Sequence, residues 1–413
     1  MRWSLARFIY ATYEDLKSGK TTDIYFVRTA KILKAYGLDK VDVYAEFTPS
    51  SLPKGYPWAV LGGLRDVVEL LRGVPVNVYA MPEGTVFFPK DYRGVRTPIM
   101  GIEGPYGEFV VYETPVLGFL SMGSGIATKA ARVKKAAGDA LVLSFGARRT
   151  HPAISPFAGY YAYIGGCDAV SCIEAAEFLG MKPVGTMPHS LMIIFRAIKG
   201  DHTLAWEAFD KVVEKDVPRV ILIDTFLDET EEAIRAVEKL GDRVWGIRLD
   251  TPGSRRGDFA EIIREVKWRL SLIGRDDVKI VVSGGIDEYS IPRLKAAGAS
   301  AFGVGSAISN ARIVDIAMDL VEVKVNGKWM AISKRGKYPG RKQVYRCEKC
   351  FVDLVVPLNK SEPKCPRCGG PMKPLLIKVL EKGEVVADIP PPQEVRKYVL
   401  EQVEKLSLDS VPW

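Results

Sequence analysis

Hydrophobic and polar residues form a repeating pattern from about residue 140 onward. A short apolar run rich in β-branched residues is followed by a glycine-rich or polar turn and then by a helical pattern. Strands that alternate with helices at this spacing are parallel and joined by crossovers, and five or six such units predict an α/β barrel. The predicted strands are 140–145, a weaker segment at 182–186, 219–224, 244–249, 278–283 and 301–305.

The helices between these strands have recognisable ends. The segment 230–241 begins with Thr230 as its predicted N-cap, carries acidic residues in its first turn and ends at Gly241. The segment 290–300 follows the strand at 278–283 in the same manner. The crossovers are therefore predicted to be helical.

The two ends of the chain have a different pattern. Before about residue 115, a helix is predicted at 23–36 and strands at 41–48 and 76–89. After about residue 320, an Asn-Gly turn at 326–327 predicts a hairpin, and a final helix is predicted from Pro392. Because short strands need a surface on which to bury their apolar sides, we expect the late strands to return to the N-terminal lobe. The predicted domains are an α+β lobe (1–115), an irregular α/β barrel with the active site (116–320) and a C-terminal segment (321–413) with a cysteine module (345–372).

Composition is consistent with an enzyme of two domains and a small module. The chain has 413 residues, of which 47% are hydrophobic, so it buries a sizeable core. Its apolar runs fall short of the ~18 to 20 uninterrupted residues of a membrane span, and acids stand where a signal peptide would have its apolar run. A cytoplasmic protein is expected.

Four of the six cysteines form two CxxC pairs separated by residues 351–364. This spacing is typical of a zinc ribbon in which four thiolates hold a structural ion, with iron or a metal-free ribbon as alternatives. The other two cysteines are predicted to be buried thiols of the barrel. The predicted ligands are Cys347, Cys350, Cys365 and Cys368, and the predicted core thiols are Cys167 and Cys172.

The formal net charge is +8, from 58 Lys and Arg against 50 Asp and Glu. This modest excess suits an enzyme of anionic substrates and also a nucleic-acid binder, so charge alone does not separate the two. The excess is concentrated between Lys324 and Lys349, where nine basic residues accompany one acid, Glu348. This basic segment is interpreted either as a solvated surface or as a patch that faces a polyanion.

Polar residues follow each predicted strand of the barrel. The carboxyl ends of parallel strands meet at one rim, where enzymes of this architecture place their sites. Arginine, threonine, serine, glycine and aspartate at this rim indicate a site for a phosphorylated sugar. The glycines at 284–285 and 303–305 open helices after the last two strands, and their backbone N–H groups are predicted to approach a phosphate.

Five side chains at the rim are candidates for chemistry. Arg148 and Arg149 offer guanidinium groups for carboxylate or phosphate, or form surface ion pairs. Asp224 and Asp250 are predicted to hold Mg²⁺ or ribose hydroxyls, with helix capping as the alternative. His189 is one of three histidines and lies among small polar residues after a strand, which favours a catalytic role.

The order of these motifs resembles that of nicotinate phosphoribosyltransferases, most closely the archaeal type. The resemblance covers nearly the whole chain and rests on residues 21–29, 145–149, 165–172, 185–190, 222–226, 247–258, 281–287 and 303–306. It implies an N-terminal lobe against an irregular α/β barrel, and a homodimer with shared sites. It also implies that nicotinate and phosphoribosyl pyrophosphate (PRPP) give nicotinate mononucleotide and pyrophosphate, with Mg²⁺ accompanying PRPP and with ATP as co-substrate through a phosphorylated histidine.

The resemblance also implies roles for individual residues. His189 is the phosphorylated residue, Asp224 and Asp250 are catalytic, and Arg148 serves the ring carboxylate or the pyrophosphate. Ser171 stands where nicotinamide-using relatives have an aspartate that binds the amide, with Asp168 three residues earlier, so an acid substrate is favoured. The implied nicotinate contacts are Tyr25 from the partner subunit, Phe145, Thr186 and Arg248, and the implied phosphate contacts are Ser283, Gly284, Gly285, Gly305 and Ser306.

Two other interpretations remain at this stage. A quinolinate or other pyridine phosphoribosyltransferase would have a similar barrel but would not need His189 in its motif. The ribbon and the basic segment would also fit a nucleic-acid-binding protein built on a former enzyme scaffold, and this class predicts salt-sensitive binding to polyanions.

Overall fold

The computed structural model describes residues 8–255 and 257–413. Residues 1–7, part of the segment that argues against a signal peptide, and Arg256, within the 247–258 motif, lie outside this range. The chain divides into two compact units. The first combines the residues up to Thr128 with Arg312–Trp413, and the second is Lys129–Ala311. Both ends of the chain therefore build one unit.

The N-terminal part of the chain alternates helices and short strands. The predicted helix at 23–36 and the predicted strand at 41–48 are found in this part, whereas the predicted strand at 76–89 is divided into two short strands that belong to different sheets. Its elements are α1 Tyr13–Lys17, α2 Ile24–Ala35, β1 Asp42–Ser51, β2 Ala59–Val60, α3 Leu64–Leu71, β3 Asn77–Ala80, β4 Val86–Phe87, β5 Met100–Pro105, α4 Tyr106–Phe109 and α5 Glu113–Ala137.

The central part repeats strand and helix, as the hydrophobic pattern predicts. Its elements are β6 Leu141–Ser144, α6 Ser155–Ile164, β7 Ala169–Val170, α7 Ile173–Phe178, α8 His189–Lys199, α9 Leu204–Val212, β8 Val220–Leu222, α10 Glu229–Leu240, β9 Gly246–Leu249, α11 Phe259–Leu272, β10 Lys279–Ser283, α12 Ile291–Ala296, β11 Ala301–Val304 and α13 Ser306–Ser309.

The C-terminal part contains strands and a final helix. Its elements are β12 Asp315–Val325, β13 Lys328–Ala331, β14 Lys342–Arg346, β15 Asp353–Pro357, β16 Lys373–Pro374, β17 Ile377–Glu381, β18 Glu384–Val385 and α14 Pro392–Glu404. The predicted hairpin joins β12 to β13. Asn326 and Gly327 adopt positive φ angles of 49° and 77° at its turn, which asparagine and glycine tolerate.

The second unit is built on a six-stranded parallel sheet in the order β7-β6-β11-β10-β9-β8. This sheet corresponds to the predicted irregular α/β barrel, but in the described residues it is an open half-barrel with β7 and β8 as its edge strands. Strands β8 and β11 are buried along their whole length, which explains their uninterrupted apolar sequences. Because all six strands are parallel, their carboxyl ends lie along one border of the sheet. This border, the carboxyl edge, runs across the strands and is distinct from the edge strands β7 and β8.

Two local predictions for this unit were wrong. Residues 182–186 form no strand: Val184 donates one backbone hydrogen bond to Val170, but Pro183 has no N–H with which to continue a ladder. Helix α10 is capped by Asp228 rather than Thr230, because the Asp228 carboxylate accepts the N–H groups of Thr230 and Glu231. Its predicted end at Gly241 is confirmed.

The first unit is built on a seven-stranded sheet in the order β13-β12-β1-β5-β3-β17-β18. The C-terminal β17 pairs antiparallel with the N-terminal β3, so the expected return of the late strands to the N-terminal lobe is confirmed. One face of the sheet packs on a core with α3 and α5. Helix α3 approaches α5 so closely that a Cβ atom at Gly63 would lie 2.2 Å from the backbone oxygen of Phe119.

The continuous helical stretch Tyr106–Ala137, which contains α4 and α5, is long and apolar enough to cross a membrane by length and composition alone. Its most apolar window has a mean hydropathy of 1.2, and 56% of that window is buried inside the protein. This burial is typical of a core helix.

The basic segment 324–349 is largely neutralised within the first unit. Six of its nine basic side chains form ion pairs with acidic side chains of the same unit, most of them half-buried or buried. This arrangement differs from both earlier interpretations, the solvated surface and the polyanion patch. The pairs are Lys324–Asp42, Lys334–Asp319, Lys337–Asp319, Arg341 with Glu103 and Glu322, Lys342–Glu46, and Arg346–Asp353.

The pair between Arg346 and Asp353 is buried and bidentate. Two guanidinium nitrogens of Arg346 each lie 2.7 Å from a carboxylate oxygen of Asp353, whose side chain is fully buried. The guanidinium also lies 4.5 Å from the centre of the Phe351 ring, and Gln402 of α14 accepts a third, longer hydrogen bond of 3.4 Å from it. This pair therefore links the β14–β15 hairpin to the final helix.

We expect Asp353→Ala to lower the free energy of unfolding by about 3 to 5 kcal/mol, because it leaves a buried guanidinium without its counter-charge. Urea unfolding measures the change. The matched control is Glu381→Ala, which breaks an exposed pair with Lys378 and should change the free energy of unfolding much less, because water screens that pair. Equal effects of the two substitutions would contradict this account.

Candidate active site

His189 is the first residue of α8, and polar residues from two strand ends surround its imidazole. Its Nδ1 atom lies 3.0 Å from the hydroxyl of Thr225. Its Nε2 atom lies 3.7 Å from a carboxylate oxygen of Asp250 and 3.9 Å from one of Asp224. The Asp250 carboxylate is the main cause that raises the pKa of His189, burial opposes it, and Asp224 adds to the increase.

Asp224 follows β8 and has a strained backbone. Its φ angle is 71°, a left-handed conformation that residues other than glycine rarely adopt. One carboxylate oxygen accepts the N–H of Asp250 at 2.7 Å and the hydroxyl of Thr251 at 2.6 Å. The other is buried and has no hydrogen-bond partner among the described residues. Burial raises the pKa of Asp224 to about 6.

Asp250 follows β9, and its pKa is shifted in the opposite direction from that of Asp224. Burial alone would raise its pKa, but the His189 imidazole and the hydroxyl of Ser283, 2.7 Å away, lower the pKa well below its usual range. Arg248 contributes in the same direction from 3.3 Å. The pKa values of two neighbouring aspartates are therefore shifted in opposite directions, which is a common arrangement in active sites.

Arg248 connects this carboxylate to the loop before α8. One guanidinium nitrogen donates to the hydroxyl of Thr186 at 2.7 Å, and another lies 3.3 Å from Asp250. Its Nε atom is buried and has no hydrogen-bond partner among the described residues. The guanidinium carbon lies 5.9 Å from the centre of the Phe145 ring. An aromatic face and a cationic fork are thus adjacent, as a planar carboxylate ligand requires.

Glycine at position 303 makes room for the Phe145 ring. A Cβ atom at Gly303 would lie 2.5 Å from two atoms of that ring, so any larger residue in β11 would displace Phe145. The backbone N–H of Phe145 donates to Val304, which fixes the residue at the carboxyl end of β6. Position 303 therefore supports the site without contacting its polar groups.

The predicted phosphate-binding residues follow β10 and β11. Gly284 and Gly285 are exposed and have φ angles of 91° and 70°, a conformation that side chains disfavour. Gly305 precedes α13 and Ser306 begins it, with the Ser306 side chain exposed. The two turns lie at the ends of adjacent strands, so their backbones border the same part of the rim.

Ser171 and Asp168 lie at opposite ends of the sheet. The N–H of Ser171 donates to Ser144, the last residue of β6, at the edge that carries His189. Asp168 instead accepts the N–H of Val142, near the start of β6, and the ammonium of Lys134. The Asp168 carboxylate therefore holds the start of β6, and Ser171 is the residue of the two that lies toward the carboxyl ends of the strands.

The remaining predicted residues are less closely tied to this network. Arg148 and Arg149 form a short 3₁₀ turn after β6 and are exposed. Tyr25 belongs to the first unit, where its side chain on α2 is 56% exposed and its ring centre lies 4.2 Å from that of Phe26. Its contact with nicotinate across a subunit boundary stays a prediction.

Sequence reasoning missed four polar residues of the network. Thr225 and Thr251 each follow one of the two aspartates, so the repeated Asp-Thr pair at consecutive strand ends was a usable signal. Glu229 accepts from Thr251 at 2.6 Å, and Glu232 accepts backbone N–H groups of the loop after β8. No pattern marks these two glutamates, because helix α10 begins with several acids.

A second functional cluster lies in the first unit. The sulfur atoms of Cys347, Cys350, Cys365 and Cys368 all lie within 4.8 Å of one another. The Cys347 and Cys368 sulfurs are 3.7 Å apart, close to the roughly 3.8 Å expected for thiolates around tetrahedral zinc. Burial would raise the pKa of Cys365, but backbone N–H groups of Cys368 and Arg367 bring it down to about 7. The cluster can therefore hold a metal ion.

Comparison with known proteins agrees with this geometry. The family model for the quinolinate phosphoribosyl transferase C-terminal domain matches residues 126–319, and the model for its N-terminal domain matches residues 23–124. The fold and the site thus define a phosphoribosyltransferase of the quinolinate phosphoribosyltransferase type.

Relatives specify the family further. The chain is 34% identical to the nicotinate phosphoribosyltransferase of Bacillus subtilis, over 81% of this chain and 74% of the relative. It is 30% identical to the nicotinate phosphoribosyltransferase pncB2 of Mycobacterium tuberculosis, over 93% of this chain and 87% of the relative. The chain belongs to the nicotinate phosphoribosyltransferase family.

Solved structures give the same result for the fold. The structure of nicotinate-nucleotide pyrophosphorylase from Pyrococcus furiosus is 50% identical with a TM-score of 0.90, covering 97% of this chain and 99% of that one. Human nicotinic acid phosphoribosyltransferase is similar in fold at 23% identity, with a TM-score of 0.73 and coverage of 94% of each chain.

Asp224→Asn should change how stability depends on pH. The folded pKa of Asp224, about 6, exceeds its ordinary value of 3.8, so the folded state binds more protons and loses stability as pH rises through this window. Asparagine tolerates the left-handed backbone and cannot ionise. Relative to the parent, the variant should gain about 2 kcal/mol between about pH 4 and about pH 7.

Unfolding by urea at several pH values measures this difference. Asp277→Asn is the control, because Asp277 is exposed and its pKa is lowered by its hydrogen bond with Arg275. A constant difference between parent and Asp224→Asn across the pH range would refute the electrostatic account.

Proposed function

We propose that this protein transfers the phosphoribosyl group of PRPP to the ring nitrogen of nicotinate, forming nicotinate mononucleotide and pyrophosphate for NAD biosynthesis. The observation that carries the proposal is the convergence of His189, Asp224, Asp250 and Arg248 at the carboxyl edge of one parallel sheet. The names of the relatives support the same reaction.

The nicotinate ring is assigned to the space beside Phe145 and Arg248. Arg248 is already oriented by Thr186 and retains a buried donor, so a carboxylate would meet a preorganised cation. Ser171 places no negative charge at this edge, which suits an acid better than an amide. Tyr25 of the partner subunit is proposed to cover the other face of the ring, so the working enzyme would be a homodimer.

PRPP is assigned to the glycine turns and the aspartates. Gly284, Gly285, Gly305 and Ser306 would hold the 5′-phosphate, with Ser283 at the end of the same strand, while Arg148 serves the pyrophosphate or the ring carboxylate. Asp250 would accept ribose hydroxyls. Among the described residues, only the four cysteines form a group that could hold a metal on their own, so Mg²⁺ is proposed to enter with the phosphates of PRPP.

The reaction requires the protein to position both substrates and to stabilise the charges that develop. As the ring nitrogen attacks the anomeric carbon, the bond to pyrophosphate breaks and positive charge develops on the sugar. Asp250, whose pKa is held low, would stabilise that charge. Mg²⁺ supplied with PRPP would neutralise charge on the leaving pyrophosphate. Displacement by a ring nitrogen needs no histidine base.

His189 is therefore assigned to ATP coupling. A histidine that is not needed as a base is better explained as the acceptor of a phosphoryl group from ATP. Phosphorylation would add negative charge beside Asp224 and Asp250, and relief of this repulsion could drive closure or pyrophosphate release. We place the reaction in the cytoplasm. The internal neutralisation of the basic segment gives no support to a nucleic-acid-binding role.

Purified protein with PRPP and Mg²⁺ should convert nicotinate to nicotinate mononucleotide, and nicotinamide and quinolinate should react poorly. Steady-state assays of the three acceptors with and without ATP, read by chromatography, measure this. His189→Asn should retain slow ATP-independent synthesis but lose both stimulation by ATP and acid-labile labelling from γ-phosphate-labelled ATP.

His151→Asn is the matched control, because His151 is an exposed histidine outside the network. It should label and respond to ATP as the parent does. Preference for quinolinate would favour the alternative enzyme class, and undiminished labelling of His189→Asn would reject the ATP role of His189.

We propose that the four-cysteine cluster holds one structural zinc ion. Two CxxC turns supply four thiolates, which complete a tetrahedral shell and leave no open position for a substrate. The surrounding core includes Tyr345, Val352 and Met372, and the C-terminal Trp413 packs against it. The ion would therefore hold together a module with few other buried side chains.

Cys347→Ser should abolish stoichiometric zinc and lower the melting temperature, because a metal ion that binds only the folded ribbon stabilises it. Elemental analysis should give about one zinc per chain in the parent. Cys172→Ser, outside the cluster, should keep the zinc. Parent protein purified without chelators that contains no metal would argue for a metal-free ribbon.

A further inference from the structure

A buried glutamate fixes the loop that carries Thr225. Glu232, on α10, is completely buried, and its carboxylate accepts three consecutive backbone N–H groups from Thr225, Phe226 and Leu227 at 3.0, 3.2 and 3.2 Å. A carboxylate that accepts several N–H groups in the interior is held firmly. The loop after β8 therefore takes its conformation from a side chain of the following helix.

A buried histidine packs beside this glutamate, in close contact but without hydrogen-bond geometry. Nε2 of His202 lies 2.8 Å from a carboxylate oxygen of Glu232, and His202 is 1% exposed. Its ring packs against Trp206, with ring centres 5.5 Å apart, and against Phe226 of the same loop, at 5.2 Å. Glu232 is thus held between the loop backbone and a ring that also packs on the loop.

The loop places different partners on the two nitrogens of His189. The Thr225 hydroxyl, 3.0 Å from Nδ1, can donate a hydrogen bond to it. The carboxylates of Asp224 and Asp250, at 3.9 and 3.7 Å from Nε2, can only accept while they are ionised. The arrangement therefore favours a proton on Nε2 and a lone pair on Nδ1 in the neutral ring.

We propose that Glu232, packed against His202, is a positioning residue that selects the tautomer of His189 through Thr225. Nδ1 is then the nitrogen with the lone pair, which accepts the Thr225 hydroxyl until a phosphoryl donor displaces it. The consequence for phosphoryl transfer rests on the proposed function. The Nδ1–phosphorus bond would form as the bond between the γ-phosphorus and the ADP oxygen breaks. The proton would remain on Nε2, where two carboxylates balance the positive charge of the ring.

Nitrogen-15 NMR of the histidine side chains tests the proposal directly. The chain has three histidines, so few imidazole signals need assignment, and His189→Asn identifies the relevant one. In the alkaline range, where the ring is neutral, His189 of the parent should give the chemical shifts of the tautomer protonated on Nε2. A ring protonated on Nδ1 in the parent would overturn the proposal without any variant.

Two substitutions test the route from Glu232 to the ring. Thr225→Val keeps the side-chain shape but removes the hydroxyl, and Glu232→Gln replaces one acceptor oxygen with a donor. Both should shift His189 toward a mixture of tautomers. Both should also lower the ATP-stimulated kcat by roughly tenfold to a hundredfold, while KM for nicotinate changes less than about twofold. An unchanged tautomer in both variants would reject the proposed positioning role.

Asp168→Asn is the matched control. Asp168 also accepts a backbone N–H within the same unit, but it lies at the opposite end of the sheet from His189. Its loss should lower stability and leave the tautomer unchanged. If Glu232→Gln does not fold, Thr225→Val and the parent spectrum still decide the question. A parent with the expected tautomer but without nicotinate turnover would reject the proposed function and leave the positioning role intact.

Discussion

The hydrogen bond from the backbone N–H of Asp250 to the carboxylate of Asp224 is the contact on which the candidate site depends. It joins the ends of two adjacent parallel strands, β8 and β9, two residues beyond their last pair, Leu222 and Arg248. The left-handed backbone of Asp224 aims its carboxylate at this N–H, and the strain of that conformation is of order 1 to 3 kcal/mol. The fold tolerates the strain because the carboxylate is held by two donors.

The different pKa shifts of the two aspartates follow from this geometry. Asp224 is buried by the strand ends, and one of its oxygens has no hydrogen-bond partner among the described residues, so its charged form is disfavoured. Asp250 is surrounded by an imidazole, a hydroxyl and a guanidinium, so its charged form is favoured. Two aspartates that lie close together thus have opposite pKa shifts because their immediate neighbours differ. An ionised and a protonatable carboxylate beside one imidazole suit a site that must handle anions and a positively charged sugar.

Much of this arrangement could be predicted from the sequence, because parallel strands bring their carboxyl ends to one edge. Asp224 and Asp250 come at or just after the ends of strands with strong apolar patterns, and Ser283 is the last residue of another, so their shared location followed from the fold class. Thr186 and His189 lie in and after a segment that forms no strand. His189 was marked by its small polar neighbours, and Thr186 by the family motif alone. The positive φ of Asp224 could not be predicted, since an aspartate after a strand has several allowed conformations.

The parts that could not be predicted depend on pairing between distant residues. The basic segment 324–349 looks like a surface patch in the sequence because three of its acidic partners, Asp42, Glu46 and Glu103, lie more than 200 positions away. The composition gives the number of charged residues but does not show which of them form ion pairs. The same limit applies to Glu232, which is one acid among several at the start of α10. Its importance appears only when three backbone N–H groups of the preceding loop are seen to point at it.

The ion pairs of the basic segment also change how the positive net charge is interpreted. A net charge of +8 was compatible with a polyanion partner while the basic side chains were considered free. Once Lys342, Arg341 and Arg346 are paired with acids in the interior of the first unit, moving any of them to a phosphate would leave a buried carboxylate uncompensated. The positive charge left for anionic substrates is therefore local, and in the second unit Arg248, Arg148 and Arg149 supply it at the edge where the reaction is proposed to occur.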